Sequence, residues 1–342
     1  MPKVSICVPV HNVEPFIERS SMSIFEQTLS DIEFVFVDDC STDQSFEVLN
    51  RVVALYPHLS GFVHLSRLSK NLGPGIARNT AASIAKGDYL YFPDADDSLE
   101  PDMMKLMYEK AIEEDADIVL CNTDIISIKG TEMSPKNNFR PVGGDWMKSL
   151  LTSSPQALWW RLIRREIFIK AMDGTNLSGI VRYEDLLMSI KCHYYAKKVS
   201  YIPQIVYHKT CLNDNSITHI HNKAAIESPV KVGIMIETFF RQKNIYEQYE
   251  SELTNFRYAT ILPYISEFEY WNPNRMREFL QRINQKHLSF KLGSRLFCFS
   301  IWITHHLINA HYDKAAFYVM NVSRFFRITK NFLTKGVRER YK

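Results

Sequence analysis

The sequence predicts an α/β protein with a mainly parallel sheet and flanking helices. Short apolar runs rich in Val, Ile, Phe and Tyr alternate with stretches of helical periodicity through the first third of the chain. Most of these runs end in polar loops, and Gly or Pro stands where helices would begin or end. Alternation of this kind is typical of βαβ units, in which a helix connects two parallel strands.

The predicted strands are apolar, rich in β-branched and aromatic residues, and closed by turn residues. Polar residues follow the first strand directly, at His11 and Asn12, and also follow the second and fourth strands. Because ligands bind at the carboxyl ends of parallel strands, we expect a ligand site there. The predicted strands are, in chain order, Lys3–Val10, Glu33–Val37, Phe62–Leu65, Tyr89–Phe92, Asp117–Cys121, Leu158–Ile163 and Val199–Tyr207.

The predicted helices combine apolar residues at helical spacing with recognisable ends. Asn12 is suited to cap the first helix, and Pro15 falls in its first turn, where a missing N–H costs nothing. A hairpin with Lys129 and Gly130 at its turn is predicted between the fifth and sixth strands. The predicted helices are one after Asn12 with apolar positions from Phe16 to Phe25, Gln44–Tyr56, Ile76–Lys86, Pro101–Glu114, one that begins near Glu184, and most of the chain after about residue 220.

Composition narrows the class of protein. The 342 residues suffice for one large domain or two ordinary ones, and 23% charged with 46% hydrophobic residues excludes wholesale disorder. A net charge of +3 does not indicate a nucleic-acid partner. The six cysteines form no CxxC pair, and the N-terminus lacks a signal-peptide pattern, so we expect a cytoplasmic protein with reduced thiols. No apolar run approaches the roughly 20 residues that span a bilayer.

Basic residues are concentrated in the last part of the chain, from Arg324 onward, where they alternate with Phe, Ile and Leu. Such a tail can lie on an anionic membrane surface, where each basic side chain adds about 1 kcal/mol of binding. The protein would then sit at the inner face of the cytoplasmic membrane. The alternative is an ordinary helix that packs its phenylalanines on the rest of the protein.

An aspartate cluster, Asp94–Asp97, follows the fourth strand. Asp94 and Asp96 are two residues apart in a loop, so both carboxylates can face one divalent cation and a diphosphate bound to it. Without a cation the two charges would repel one another. The alternative is a structural cluster in which Asp97 or Ser98 caps the next helix.

Two further loops lie at strand ends. Asp39 can accept a hydrogen bond from an N–H of a nucleobase, while Ser41 or Thr42 caps the following helix. The glycine-rich turn Gly73–Gly75 precedes a helix, an arrangement that can approach a phosphate closely. A plain tight turn is the alternative for these glycines.

Four segments carry a resemblance to a known family: Val8–Asn12, Val37–Asp43, Asn71–Asn79 and Phe92–Asp97. In this order and spacing they resemble the family 2 glycosyltransferases of the GT-A fold, of the type that builds bacterial surface polysaccharides. The resemblance is dense over residues 1–120 and thinner to about 218. It implies a Rossmann-like catalytic domain in residues 1–220, with nucleotide-sugar binding in 1–120 and the acceptor side in 121–220. A helical region with the basic tail, 221–342, would follow.

The resemblance also implies a chemistry. Members bind a nucleotide-diphospho-sugar, usually a UDP-sugar, with Mg²⁺ or Mn²⁺, and invert the anomeric configuration. For this chain we expect transfer of a hexose or N-acetylhexosamine from a UDP-sugar to a hydroxyl of a glycan or lipid-linked acceptor. Asp96, with Asp94 nearby, would hold the metal, and Asp39 would contact the base. His11 and Cys40 stand where tyrosine and glycine are more usual. The implied donor-binding residues are Pro9, His11, Asp39, Asn71, Gly73, Arg78, Asp94, Ala95 and Asp96.

The acceptor side is predicted from Glu184 and Asp185, which look like the family's acidic pair at the start of a helix. An inverting transfer needs a base opposite the departing diphosphate, and Asp185 is our candidate. The alternative is that both residues only complement the helix dipole. Trp159 and Trp160 resemble the floor of the acceptor cleft, with core packing as the alternative.

His208 precedes Ser216–Thr218, and the two together resemble the family's closing loop. A neutral imidazole there can ligate the metal, and a structural histidine is the alternative.

Two other functions are alternatives for this sequence. A phosphohydrolase that forms an aspartyl-phosphate needs its nucleophile directly after the first strand, where His11 and Asn12 stand. A non-catalytic nucleotide-binding or scaffold module is the second alternative. It is disfavoured because carboxylates suited to a nucleobase contact, to a metal and to proton transfer occur together, at Asp39, Asp94, Asp96 and Asp185.

Overall fold

The structure is a computed structural model that describes residues 1–127, 130–133, 144–152, 156–213 and 223–256. The chain divides into two units, Met1–Gln242 and a second that begins at Lys243. The sheet and the candidate site both belong to the first unit. The predicted closing loop Ser216–Thr218 and the basic tail from Arg324 lie outside the described residues.

The described elements form an alternating α/β chain. The strands are β1 Val4–Val10, β2 Ile32–Asp38, β3 Val63–Arg67, β4 Tyr89–Tyr91, β5 Ser98–Leu99, β6 Ile118–Ser127, β7 Gly130–Met133, β8 Arg161–Arg164 and β9 Val199–Thr210. The helices are α1 Glu14–Phe25, α2 Ser45–Ala54, α3 Pro74–Ile84, α4 Met103–Glu113, α5 Trp146–Thr152, α6 Arg165–Met172, α7 Glu184–Tyr195, α8 Lys223–Gln242 and α9 Glu250–Phe256.

One sheet runs through the first unit in the order β3-β2-β1-β4-β8-β6-β9-β5, with β7 paired to β6. The four strands from β3 to β4 are parallel, as their helical connections predict. Strand β8 is antiparallel to both of its neighbours, while β6 and β9 are parallel. Nearly every side chain of β1 and β2 is buried, which is typical of strands covered on both faces. The predicted fold class is confirmed.

Several elements differ from the prediction. The hairpin is present as β6 and β7, with Ser127 opposite Gly130, but β6 extends six residues beyond the predicted Cys121 because β9 pairs alongside it. The predicted sixth strand begins instead as a short 3₁₀ turn, Leu158–Trp160. Strand β5 and helices α5 and α6 were not predicted. In the described part of the chain, no helix is both long and apolar enough to cross a membrane.

The loops after β1 and β2 are hydrogen-bonded to each other, and Asp43 Oδ1 also accepts from the Ser45 N–H at the start of α2 at 3.0 Å. Asn12 does not cap α1, because its Oδ1 accepts from the Thr42 backbone N–H at 2.8 Å. The Glu14 N–H at the start of α1 donates to Asp43 Oδ2 at 3.0 Å. Ser41 does not cap α2 either, since its hydroxyl accepts from the Asn12 N–H at 3.1 Å. The predictions that Asn12 caps α1 and that Ser41 or Thr42 caps α2 are wrong, and the two loops are tied together at the carboxyl edge of the sheet.

The buried His193 on α7 predicts that stability falls in mild acid. Its Nδ1 lies 2.9 Å from the Ser189 carbonyl oxygen, and burial together with the Arg161 charge lowers the pKa of His193 to about 3. Unfolded histidine titrates near pH 6.5, so the unfolded chain takes up a proton that the folded chain does not. The free energy of unfolding should fall by about 1.4 kcal/mol per pH unit for this group between about pH 6 and pH 4.

Urea unfolding followed by circular dichroism at pH 7.5 and 5.5 checks this contribution. His193→Gln should show a weaker pH dependence than the wild type, and exposed His58→Gln should match the wild type. An unchanged pH dependence in His193→Gln would contradict the assignment.

Candidate active site

The candidate site lies where β1, β2 and β4 end. These parallel strands are neighbours, so the loops that follow them meet at one edge of the sheet. Pro9 lies at this edge, beyond the part of β1 that pairs with β4, and its side chain is the one partly exposed position of β1. Proline is tolerated at this position because β4 does not extend far enough to accept a hydrogen bond from an N–H there.

Asp39 organises the glycine-rich turn. Its buried carboxylate accepts from the Leu72 N–H and the Gly73 N–H, both at 2.7 Å. Gly73 has a φ of +94°, and a Cβ there would lie 3.0 Å from the Ile180 carbonyl oxygen. Only glycine suits this backbone and this close contact. Each carboxylate oxygen of Asp39 retains a second lone pair, so the predicted contact with a base is compatible with these bonds.

His11 carries an unused hydrogen-bonding group. Its Nε2 lies 2.9 Å from Asn71 Nδ2, and since an amide nitrogen only donates, Nε2 accepts and the ring proton resides on Nδ1. That Nδ1 is buried and has no hydrogen-bond partner among the described residues. A buried N–H without a partner is costly, and a ligand that accepts from it would remove the cost.

Asp94 and Asp96 lie side by side after β4. Asp94 Oδ1 is 2.7 Å from Arg78 Nη2, and Asp96 Oδ2 is 2.8 Å from Asn213 Nδ2. Burial and the nearby charge of Asp94 raise the pKa of Asp96, as expected for two close carboxylates. Ala95 between them is buried, so it presents no exposed side chain to a donor.

Asp97 points into the protein. It is fully buried and accepts from the Tyr207 hydroxyl at 2.5 Å and from the Thr210 N–H at 2.6 Å. Burial raises the pKa of this carboxyl. The capping alternative for Asp97 is wrong, since α4 begins at Met103 without it. Asp97 instead ties the end of β9 to the aspartate loop.

Lys209 on β9 is a cation that the sequence analysis missed. Burial lowers the pKa of its ammonium, but the charges of Asp97, Asp94 and Asp96 outweigh burial and raise it. The signal for Lys209 was the two-residue period of a strand, which places it on the same face as Tyr207. The side chain therefore belongs to the aspartate cluster.

Arg78 on α3 bridges the two sides of the site. Its Nη2 lies 2.7 Å from Asp94, and its Nη1 lies 2.6 Å from Glu184 Oε1. Burial lowers the pKa of the guanidinium, and the charges of Asp94 and Glu184 raise it further than burial lowers it. Both Nη groups are thus used within the protein, and Arg78 joins a donor-side carboxylate to an acceptor-side one.

Glu184 and Asp185 form the first turn of α7. Asp185 Oδ1 accepts from the Leu186 N–H at 2.8 Å, so the residue does complement the helix N-terminus. Burial raises the pKa of Asp185, while the charge of Arg78 opposes that shift. Burial and Asp185 likewise raise the pKa of Glu184, again against Arg78.

Trp159 and Trp160 are core residues in this structure, with 8% and 2% of their surfaces exposed. Trp159 stacks on Tyr207 at 4.8 Å with an interplanar angle of 6°, and on Trp160 at 4.8 Å. The stacked partners cover the indole face that the prediction reserved for a sugar. Core packing, the alternative, describes both tryptophans.

His208 faces away from the aspartate cluster. Its Nδ1 lies 2.7 Å from Asp124 Oδ1, and its Nε2 lies 2.8 Å from Glu100 Oε1. Neighbouring residues of a strand point to opposite faces, and Tyr207 already points toward the aspartates. This corrects the assignment of His208 as a metal ligand, because both ring nitrogens are hydrogen-bonded to carboxylates.

Comparison with known proteins shows the family of this chain. The family model described as Glycosyl transferase family 2 matches residues 5–183, more than half of the 342-residue chain. The chain belongs to glycosyl transferase family 2. The family predicted from the four sequence segments is thereby confirmed.

Several proteins named as glycosyltransferases resemble this chain in sequence. The uncharacterised glycosyltransferase YibD of Escherichia coli is 27% identical over 65% of this chain and 64% of its own length. The putative glycosyltransferase EpsH of Bacillus subtilis is 28% identical over 75% of this chain and 74% of its own. The poly(ribitol-phosphate) beta-glucosyltransferase of Bacillus spizizenii is 32% identical over 58% of this chain, but the match covers only 30% of that enzyme.

Among solved structures, residues 1–349 of S. aureus TarS in complex with UDP-GlcNAc give a TM-score of 0.72. The likeness covers 96% of this family 2 chain and 92% of that one, at 20% sequence identity. At this identity the comparison supports the fold.

Helix α3 packs directly on the start of α7, and Gly75 makes this contact possible. A Cβ at Gly75 would lie 2.9 Å from Glu184 Cγ and 3.3 Å from Leu177 Cδ1. We predict that Gly75→Ala lowers the free energy of unfolding by about 1–3 kcal/mol through overpacking. The matched control is Gly61→Ala, since nothing lies within 4 Å of a Cβ at Gly61.

Urea denaturation of both variants measures the difference. A Gly75→Ala protein as stable as Gly61→Ala would show that α3 and α7 are not in the close contact described.

Proposed function

We propose that this chain transfers a hexose or N-acetylhexosamine from a UDP-sugar to a hydroxyl of a glycan or lipid-linked acceptor, with inversion. One observation carries the proposal: a single guanidinium, that of Arg78, contacts Asp94 at 2.7 Å and Glu184 at 2.6 Å. The carboxylates suited to the leaving diphosphate and to the acceptor therefore lie within one side chain of each other. Direct displacement at one carbon requires this proximity.

The nucleotide side is supported by two groups. Asp39 can accept from a base N–H, and the buried Nδ1–H of His11 can donate to a base carbonyl. A base with an N–H between two carbonyl groups, as in uracil, presents both partners. That S. aureus TarS was solved with UDP-GlcNAc, on a similar fold, is consistent with a UDP-sugar.

The residues also fit a divalent cation. The described part of the chain holds no group of three His, Cys, Asp or Glu side chains that could form a closed metal site. Mg²⁺ commonly uses one or two carboxylates, with waters and substrate phosphate completing its shell, and an oxygen-rich site also suits Mn²⁺. Asp96 and Asp94 would hold the ion. When bound, it would neutralise negative charge on the departing diphosphate.

Two side chains of the protein would act in different steps of the transfer, Asp185 on the acceptor and Lys209 on the departing diphosphate. Asp185 takes the proton from the acceptor hydroxyl as that oxygen bonds to the anomeric carbon, and the bond from this carbon to the diphosphate oxygen breaks. Burial raises the pKa of Asp185, which strengthens it as a base. The ammonium of Lys209, already surrounded by aspartates, adds positive charge on the side where the diphosphate departs.

Removal of the base tests the acceptor side. Asp185→Asn should lower kcat by about 10²- to 10⁴-fold, the usual contribution of a general base, with little change in the KM for the donor. UDP release in the presence of an acceptor measures it, after a screen of UDP-sugars. Exposed Asp173→Asn is the matched control. Near-wild-type turnover in Asp185→Asn would remove the residue from this role.

Metal removal tests the donor side. Titration calorimetry should show that chelation of divalent cations weakens UDP binding at least about tenfold, since the cation and the two carboxylates act together. Asp96→Asn should bind UDP equally weakly with and without Mn²⁺, whereas exposed Asp102→Asn should behave as the wild type. Mn²⁺-dependent binding that persists in Asp96→Asn would contradict the metal assignment.

A further inference from the structure

We propose that Arg78 is a positioning residue that assigns different roles to the two members of the acidic pair. It holds Glu184 in a buried ion pair and leaves Asp185 as the carboxylate that accepts the proton. It also fixes the distance between this pair and the donor-side Asp94. The inference rests on the proposed function and goes beyond it by naming what separates the roles of two adjacent acids.

The geometry of the guanidinium supports this role. Its two Nη groups contact different carboxylates, Asp94 and Glu184, and only 7% of the Arg78 side chain is exposed. The guanidinium is planar and presents its donors in a rigid fork, so the two contacts set the spacing between the acids. A flexible lysine ammonium cannot reproduce both contacts in the same arrangement.

The backbone around Arg78 is equally constrained. Gly75 and Arg78 are three residues apart and lie on the same face of α3. Gly75 lets this face approach Glu184 so closely that an added Cβ would lie 3.1 Å from Glu184 Cβ. At the start of α3, Asp39 holds the backbone N–H groups of Leu72 and Gly73. Helix α3 is therefore fixed both at its beginning and where it carries Arg78.

The two acids differ in their contacts. Glu184 is 5% exposed and its Oε1 contacts a cation, so its charge is compensated inside the protein. Asp185 accepts a hydrogen bond from the neighbouring Leu186 N–H, and its side chain is less buried than that of Glu184. The Glu184 carboxylate is engaged by Arg78, so it is less available to an acceptor hydroxyl than the less buried carboxylate of Asp185.

Substitutions at Glu184 separate positioning from proton transfer. Glu184→Gln keeps an amide oxygen that can accept from Arg78 Nη1, so kcat should stay within about tenfold of the wild type, whereas Glu184→Ala should lose on the order of 100-fold through misplacement. If Glu184 were itself the base, glutamine and alanine would be equally inactive. In the same assay, Asp185→Asn should lower kcat by about 10²- to 10⁴-fold, because it lacks the general base.

Arg78→Lys keeps the positive charge but removes the planar guanidinium with its two Nη donors. The kcat for transfer should fall on the order of 100-fold, and the KM for the UDP-sugar should change by less than about threefold, because the displaced groups act on the reacting atoms. The matched control is Arg164→Lys, since Arg164 bridges Asp115 at 2.7 Å and Asp117 at 2.9 Å away from the site. Arg164→Lys should retain wild-type kcat.

The outcomes are distinguishable. Wild-type kcat in Arg78→Lys, or a Glu184→Gln enzyme as inactive as Asp185→Asn, overturns the inference while the proposed function stands. Should Arg78→Lys fail to fold by circular dichroism, the comparison of Glu184→Gln with Glu184→Ala decides. A wild-type chain that transfers from no UDP-sugar overturns the proposed function, and the inference with it.

Discussion

The ion pairs of Arg78 with Asp94 and Glu184 are the interaction on which the arrangement of the site depends. Three carboxylates, Asp94, Glu184 and Asp185, lie around this guanidinium, and burial penalises the charges of Glu184 and Asp185. Without the guanidinium between them, the cost of their mutual repulsion and lost hydration would force some of them to be neutral. With it, the donor-side loop, α3 and α7 are held together, and acids from distant parts of the sequence become neighbours.

Further hydrogen bonds at the carboxyl edge of the sheet hold the site in this arrangement. Arg19 on α1 donates to the Asp96 carbonyl oxygen at 3.0 Å and to Thr210 Oγ1 at 2.7 Å, so one side chain joins the aspartate loop to the end of β9. Asp97 makes a second connection to β9 through Tyr207. These hydrogen bonds fix the loop that carries Asp94 and Asp96 against β9 before any donor binds. Groups held in place before the reaction need not be reorganised during it, which is the basis of electrostatic catalysis.

The first half of the fold could be predicted because its signals are local. Strand and helix periods alternate there, and Asp39, Asp94 and Asp96 directly follow strands, so their position at the edge of the sheet follows from the pattern alone. Strand period puts Lys209 on the face of Tyr207, but it does not show that this face, or Asn213 beyond the strand, meets the aspartates, because β9 reaches the cluster only through its pairing with β6 and with the two-residue β5. The same tertiary pairing turns His208 away from the aspartates. Capping predictions failed for a related reason: the best hydrogen-bond partner of Asn12 lies 30 residues away, at Thr42.

A crystal structure of the chain with UDP and Mn²⁺ is the most direct test of the central claim, that Arg78 holds the two sides of the site while neighbouring groups bind the donor. The account predicts an anomalous manganese peak in contact with the Asp96 carboxylate, uracil between Asp39 and His11, and Arg78 still paired with Asp94 and Glu184. A guanidinium that leaves both carboxylates to bind the diphosphate, or a manganese ion bound away from Asp96, would contradict it.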